Sequence, residues 1–134
     1  MSFTDFLETE ILDHIFTDAA YSPPATLYLA LSTTTPTEAG GNFTEPGGGS
    51  YARVGHGAGE MDAAASGDPS SKDNGSTINF AQATASWGTV THFGVFDASS
   101  GGNLMMFGAL TTSKTIDNGD QARFNAGDYS ITLE

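Results

Sequence analysis

The run Thr26-Leu27-Tyr28-Leu29-Ala30-Leu31-Ser32 decides the fold class. In an extended chain successive side chains leave on opposite faces, so Leu27, Leu29 and Leu31 share one side and Thr26, Tyr28, Ala30 and Ser32 the other. Alternation over seven residues rich in Leu and Tyr reads as a strand. Working outward toward the C-terminus, residues 51–54 carry a shorter strand signal. Strand signals then return densely at residues 77–80, 89–96, 104–110, 114–116 and 129–133. The turns between them include residues 99–102 and Asn118-Gly119-Asp120, where Asn and Gly accept positive φ.

Toward the N-terminus the period changes. Phe3, Leu7, Ile11 and Ile15 recur every four residues with Leu12 beside them, which predicts one amphipathic helix over residues 3–16. Ser2 or Thr4 is placed to cap it, and Asp5 and Glu8 favour the positive end of its dipole. Pro23 and Pro24 stop any continuation. Residues 33–50 and 55–75 are rich in Gly, Ser, Ala and Asp and read as two long loops, a length that points to function or to ordering on a partner. The expectation is therefore a mainly β chain, an antiparallel β-sandwich or jelly-roll-like domain with one short N-terminal helix, spanning residues 1–134 as one domain.

Composition agrees with that class. Charged residues make up only 15% of the 134 and Gly reaches 17, a turn-rich β profile and not that of a helical bundle. Charge then narrows the partners. Sixteen Asp and Glu face only Arg53, Lys72, Lys114 and Arg123, a formal net charge of −12. Phosphate backbones need clustered cations, so nucleic acid is excluded as a partner, and the same field argues against anionic membranes. No stretch approaches the length of a membrane span. Without Cys there is neither a disulfide framework nor a thiolate metal site. The N-terminus shows no basic flank and no continuous apolar run, so no signal peptide is expected and synthesis falls to a cytoplasm.

The residue types that carry chemistry are present but not in the spacing chemistry needs. Ser86, His92 and Asp97 form a nominal nucleophile-base-acid triple, of a kind that a chain rich in Ser and Asp supplies by chance. Gly48-Gly49-Ser50-Tyr51-Ala52 departs from the nucleophile-elbow pattern at its last position. His56 with Glu60 and Asp62 is the nearest approach to a metal cluster, yet it lies in a Gly-rich segment and reads as solvated turn. Asp68, Asp73, Asp117, Asp120 and Asp128 offer oxygens to calcium, but Asp also initiates turns. Asp97 and Asp128 are the only pair nominated for glycoside hydrolysis, and nothing in their spacing selects them. Trp87, Phe93, Phe96, Phe107 and Phe124 fall in or beside strands, where large rings pack between sheets. The reading is a protein that is not an enzyme, with no catalytic residues, no cofactor and no metal site assigned.

Several segments resemble a known family in order along the chain: the opening Phe3-Thr4-Asp5-Phe6-Leu7-Glu8, the run 25–33, Tyr51-Ala52-Arg53-Val54, the stretch 87–97, Gly108-Ala109-Leu110-Thr111 and residues 124–133. Together they resemble small tailed-bacteriophage virion proteins often labelled tail-fibre proteins. The resemblance implies a virion component made in the host cytoplasm. A compact β domain without internal repeats is similar in outline to capsid decoration, or cement, proteins on the exterior of the phage head. The expectation drawn from it is a protein present in multiple copies or as a homo-oligomer that bridges major capsid proteins. A tail or fibre-tip adhesin recognising a host receptor or glycan is the alternative.

Overall fold

The computed structural model describes residues 1–133. Its elements are β1 (Ser2–Phe3), α1 (Asp5–Phe16), β2 (Thr26–Ser32), β3 (Val54–Gly57), β4 (Ser70–Asp73), β5 (Ile78–Asn79), β6 (Gly88–Phe96), β7 (Leu104–Ile116), β8 (Arg123–Phe124) and β9 (Ser130–Leu133). Five strands make the main sheet in the order β1-β7-β6-β2-β3, and every pairing is antiparallel. Two short ladders, β4-β9 and β5-β8, complete the set. The expected mainly antiparallel β architecture with one short N-terminal helix is the one observed.

The leucines of β2 explain why the layers close as they do. Leu29 and Leu31 face a core that contains Val90, Phe93 and Val95 of β6, Met106 of β7, Ile78 of β5 and Phe124 of β8. The two short ladders thus act as the second layer over one face of the main sheet, a lopsided sandwich. Each fully buried side chain of this size contributes about 1.5–3 kcal/mol from the area it removes from water.

The other face is covered too. Ala30, Phe96 and Leu104 form a smaller cluster with Phe43 packed against it, edge-on to Phe96 at 5.0 Å between ring centroids. Phe43 lies in the segment 33–50, which holds no regular strand or helix but is ordered by its own hydrogen bonds. The Ser32 hydroxyl donates to the Thr34 carbonyl at 2.9 Å and accepts from the Thr44 N–H at 3.1 Å, and Asn42 Nδ2 donates to the Thr35 carbonyl at 2.6 Å. This is why β2 is buried on both faces from Leu29 onward, where alternation predicts one covered side.

Arg53 pins the same segment. Its Nη2 lies 2.8 Å from Glu45 Oε2, its Nη1 donates to the Ala98 and Gly101 carbonyls at 2.8 Å each, and its guanidinium sits 3.5 Å above the Phe96 ring. The Tyr51 hydroxyl donates to Glu45 Oε1 at 2.8 Å and accepts from the Leu31 N–H at 2.9 Å. Burial pushes that phenol's pKa up, with Leu31 pulling the other way and Glu45 adding to the rise.

Several expectations are corrected. Residues 55–75 are not one open loop: they contain most of β3, a 3-10 turn (Ala58–Glu60) and β4. β4 reads Ser-Ser-Lys-Asp, with no apolar alternation to announce it, and becomes a strand because Ser70–Asp73 pairs with Ser130–Leu133. The strand signalled at 51–54 begins only at Val54, since the side chains of Tyr51 and Arg53 are committed to Glu45. The helix starts at Asp5, because Ser2 and Phe3 add an edge strand opposite Phe107 and Met106. Neither proposed cap operates. The Thr4 hydroxyl turns inward to the Leu104 and Met105 carbonyls, while the Ser2 hydroxyl donates to Glu38 Oε1 at 2.8 Å.

The two strand signals at 104–110 and 114–116 belong to one element, β7. Val90 pairs with Lys114 and His92 with Ala109, so the four residues Leu110, Thr111, Thr112 and Ser113 stand opposite Thr91 alone. A bulge of this size bends the strand away from β6 and breaks the ladder locally.

Candidate functional site: the helix end and the bulge cavity

The residues nominated for chemistry are dispersed. Ser86 Oγ donates to the Ile116 carbonyl at 3.3 Å and to Asp117 Oδ1 at 3.2 Å, whereas His92 Nδ1 is paired with Thr91 Oγ1 at 2.8 Å. Asp97 instead holds the 97–103 turn, accepting from the Asn103 N–H at 2.7 Å and Asn103 Nδ2 at 2.8 Å. Ser86, His92 and Asp97 therefore each have a different partner, and no triad is assembled. Asp120 Oδ2 accepts from the Asp117 N–H and Asp128 Oδ2 from the Asn125 N–H, the turn-forming use of Asp. Asp97 and Asp128 serve separate turns. Among the described residues no three His, Asp or Glu side chains are grouped to hold a metal ion.

His56, Glu60 and Asp62 do not come together as a metal-ligating group. Glu60 Oε2 accepts from the Gly57 N–H at 2.7 Å, while the His56 ring is buried against Tyr129, edge-on at 5.8 Å. Neither His56 ring nitrogen nor the Tyr129 hydroxyl has a hydrogen-bond partner among the described residues. Burial lowers the His56 pKa below its ordinary value, with Glu60 opposing the shift, and burial raises that of Tyr129. A histidine whose folded pKa is lowered takes up its proton in the unfolded chain first. Stability is then complete above about pH 6.5 and falls as the pH drops from there through the lowered folded pKa. Thermal melts from pH 7.5 to 5 are expected to show that fall, and His56→Leu should flatten it. An equal slope in wild type and variant would assign the loss to other groups.

Two surfaces remain unexplained by packing. The first is the far end of α1. Only the helix's first turns approach the sheet, where Leu7 meets Phe3, Val95 and Met105 around a void of about 70 Å³. Beyond them Ile11 is 37% exposed, Leu12 56%, Ile15 63% and Phe16 77%. Positions i, i+1, i+4 and i+5 lie on one side of a helix, so these four form one stripe. The periodicity places Ile11, Leu12 and Ile15 on one face, but predicts neither Phe16 beside them nor that the face is open to solvent. Exposed carboxylates of Glu8, Asp13 and Asp18 lie around it, and the helix carries no Lys or Arg.

The second is a cavity of about 570 Å³ beneath the β7 bulge, open between β7 and the 120–124 segment. Leu31, Val90, Phe93, Leu110 and Phe124 supply apolar wall, and the polar groups include Thr111, Thr112, Gln121, the cations Lys114 and Arg123 and the carboxylates Asp120 and Asp128. Two of the four cations therefore line one cavity. The other two are engaged elsewhere: Arg53 with Glu45, and Lys72 with the Asp62 carbonyl at 2.7 Å. Sequence reading did not single out Lys114 and Arg123 as a pair, because 8 positions and a turn separate them. Their isolation as cations in a chain of net charge −12 was the available signal.

The fold thus combines a small antiparallel β architecture with an apolar helix end open to solvent and one cavity beneath a strand bulge. The family model described as Podophage GP4 fiber I protein gp80 matches residues 2–132, and the chain belongs to that family. It is thus a bacteriophage virion protein of the fibre type. No curated protein matches the chain.

Proposed function

We propose that this protein is a fibre-type appendage component of the virion, attached through the end of α1 to a neighbouring virion protein, and that it acts by contact and without catalysis. The observation carrying this reading is the stripe Ile11, Leu12, Ile15 and Phe16, left open in a domain that covers both faces of its sheet. Burying Ile15 and Phe16 on a partner would supply about 1.5–3 kcal/mol each. The carboxylate surround specifies the occupant: an apolar groove rimmed by Lys or Arg complements Glu8, Asp13 and Asp18, whereas a second copy brings the same negative field. The description of the family as a fibre protein favours an appendage.

The second reading is decoration of the capsid exterior, bridging major capsid proteins. The compact, non-repetitive build favours it, since a fibre shaft is long and repetitive. Copy number separates the two: a few to a few dozen per virion accord with an appendage, hundreds with the head.

The test is to build phage carrying Ile15→Ser with Phe16→Ser and to quantify the protein in purified virions. Incorporation is expected to fall at least about tenfold, as loss of two buried anchors implies, while the isolated domain's melting temperature stays within about 2 °C of wild type. Undiminished incorporation would remove the helix end as the attachment. If virions lacking the protein adsorb normally but lose DNA at lower temperature, the head reading replaces the appendage.

A further inference from the structure

We infer that the cavity under the β7 bulge is a binding site for a saccharide unit carrying one anionic group, a carboxylate or a phosphate. An unbroken β6-β7 ladder would bring β7 across this face of the core. Instead four residues leave the ladder opposite Thr91, and the space they open is not refilled by side chains. At about 570 Å³ it has the size of a small-ligand site, with room for one or two sugar rings.

Its chemistry is divided in a way that suits such a ligand. Phe93, Phe124 and Leu110 offer an apolar wall for a ring face. The hydroxyls of Thr111 and Thr112 make no side-chain hydrogen bond among the described residues, and neither do Lys114 and Arg123. Neither cation has a carboxylate within salt-bridge distance there. Asp120 and Asp128 also line the cavity, and each is held in its own turn, Asp120 accepting from the Asp117 N–H and Asp128 from Asn125, which leaves Lys114 and Arg123 without a carboxylate partner among the described residues. Gln121 is fixed by its Nε2 bond to the Phe80 carbonyl at 2.9 Å. Free donors of positive charge, free hydroxyls and an apolar wall are thus concentrated in one cavity of an otherwise acidic surface. Charge-assisted hydrogen bonds from Lys114 and Arg123 would hold the anion, and the ring would lie against the aromatic wall. The global field opposes a free anion, so the sugar ring has to contribute to affinity.

This site lies on residues distinct from the helix end and stands independently of how the protein attaches. The test is titration of the ¹⁵N-labelled protein, followed by NMR, with sodium glucuronate, glucose 6-phosphate, glucose and sodium acetate at constant ionic strength. Saturable shifts confined to residues 110–115 and 121–124 are expected with glucuronate or glucose 6-phosphate, weaker ones with glucose, and none with acetate. Lys114→Gln with Arg123→Gln is expected to weaken binding of the anionic sugar about tenfold or more and to leave the glucose response unchanged. Ile15→Ser with Phe16→Ser should bind the sugars as wild type does, so failure here and failure of the attachment reading are told apart. Absence of saturable shifts with both anionic sugars overturns the inference, as does acetate moving the same resonances equally or the double variant binding undiminished.

Discussion

Replacing Leu29 by Asp is expected to leave no cooperatively folded protein at 25 °C, seen as loss of the β signal in circular dichroism and of dispersed amide resonances. Leu29 is fully buried in the middle of β2, between β3 and β6, and faces the larger core. Deleting its packing alone costs about 2–5 kcal/mol. A carboxylate placed there has no cation within the core to pair with, which costs several kcal/mol more or forces it to take up a proton. The sum is comparable to the whole stability of a domain of this size, about 5–15 kcal/mol. Leu29→Met, which conserves volume, should cost less than about 1.5 kcal/mol and serves as the control. A folded Leu29→Asp protein at neutral pH would show that β2 is not the centre of the sheet.

Arg53→Ala should be the most damaging substitution of any charged residue. The Arg53 side chain is only 7% exposed and ties Glu45, the Ala98 and Gly101 carbonyls and the Phe96 ring into one cluster. Breaking a buried pair by removing one partner costs about 3–5 kcal/mol. Glu45 is 28% exposed and keeps its bond from Tyr51, so the expected loss falls below that range, about 2–3 kcal/mol by chemical denaturation. Arg53→Lys keeps the charge but not the planar fork or the stack on Phe96, and should recover less than half of that loss. The 33–50 segment should loosen first, because Glu45 and the Phe43 ring, which packs on Phe96, are two of its attachments and both adjoin Arg53. Hydrogen exchange at Thr33 and Thr44 would report it, and a variant within about 0.5 kcal/mol of wild type, the range of an ordinary surface change, would contradict this role.

The two surfaces differ in how far the sequence announces them. Ile11, Leu12 and Ile15 are legible as part of a helical face, since period is a local property, and only the structure adds Phe16 to the stripe. Whether that face is covered depends on where the helix is anchored. Here β1 and the inward-turned Thr4 hold only its beginning against β7, so the second half runs past the sheet edge. The cavity is not legible at all. The gap between the strand signals at 104–110 and 114–116 falls within the bulge, but nothing local shows that one strand runs through it, that four residues leave the ladder or that a cavity opens beneath them.

What the sequence by itself determined is the class of the fold and its central strand: the alternation of residues 26–32, the dense strand signals after residue 77 and one helical stretch near the N-terminus all follow from side-chain period. It also carried the order of segments that resemble phage virion proteins, and a formal net charge of −12. Only the tertiary structure decided that Ser70–Asp73 is a strand, that Phe43 and Arg53 close the second face of the sheet, that His56 turns inward, and that Lys114 and Arg123 meet at one cavity. The division has one physical cause. Period is fixed by backbone geometry within a few residues, whereas these features come from contacts beyond that range, many between residues tens of positions apart, whose partners no local pattern names.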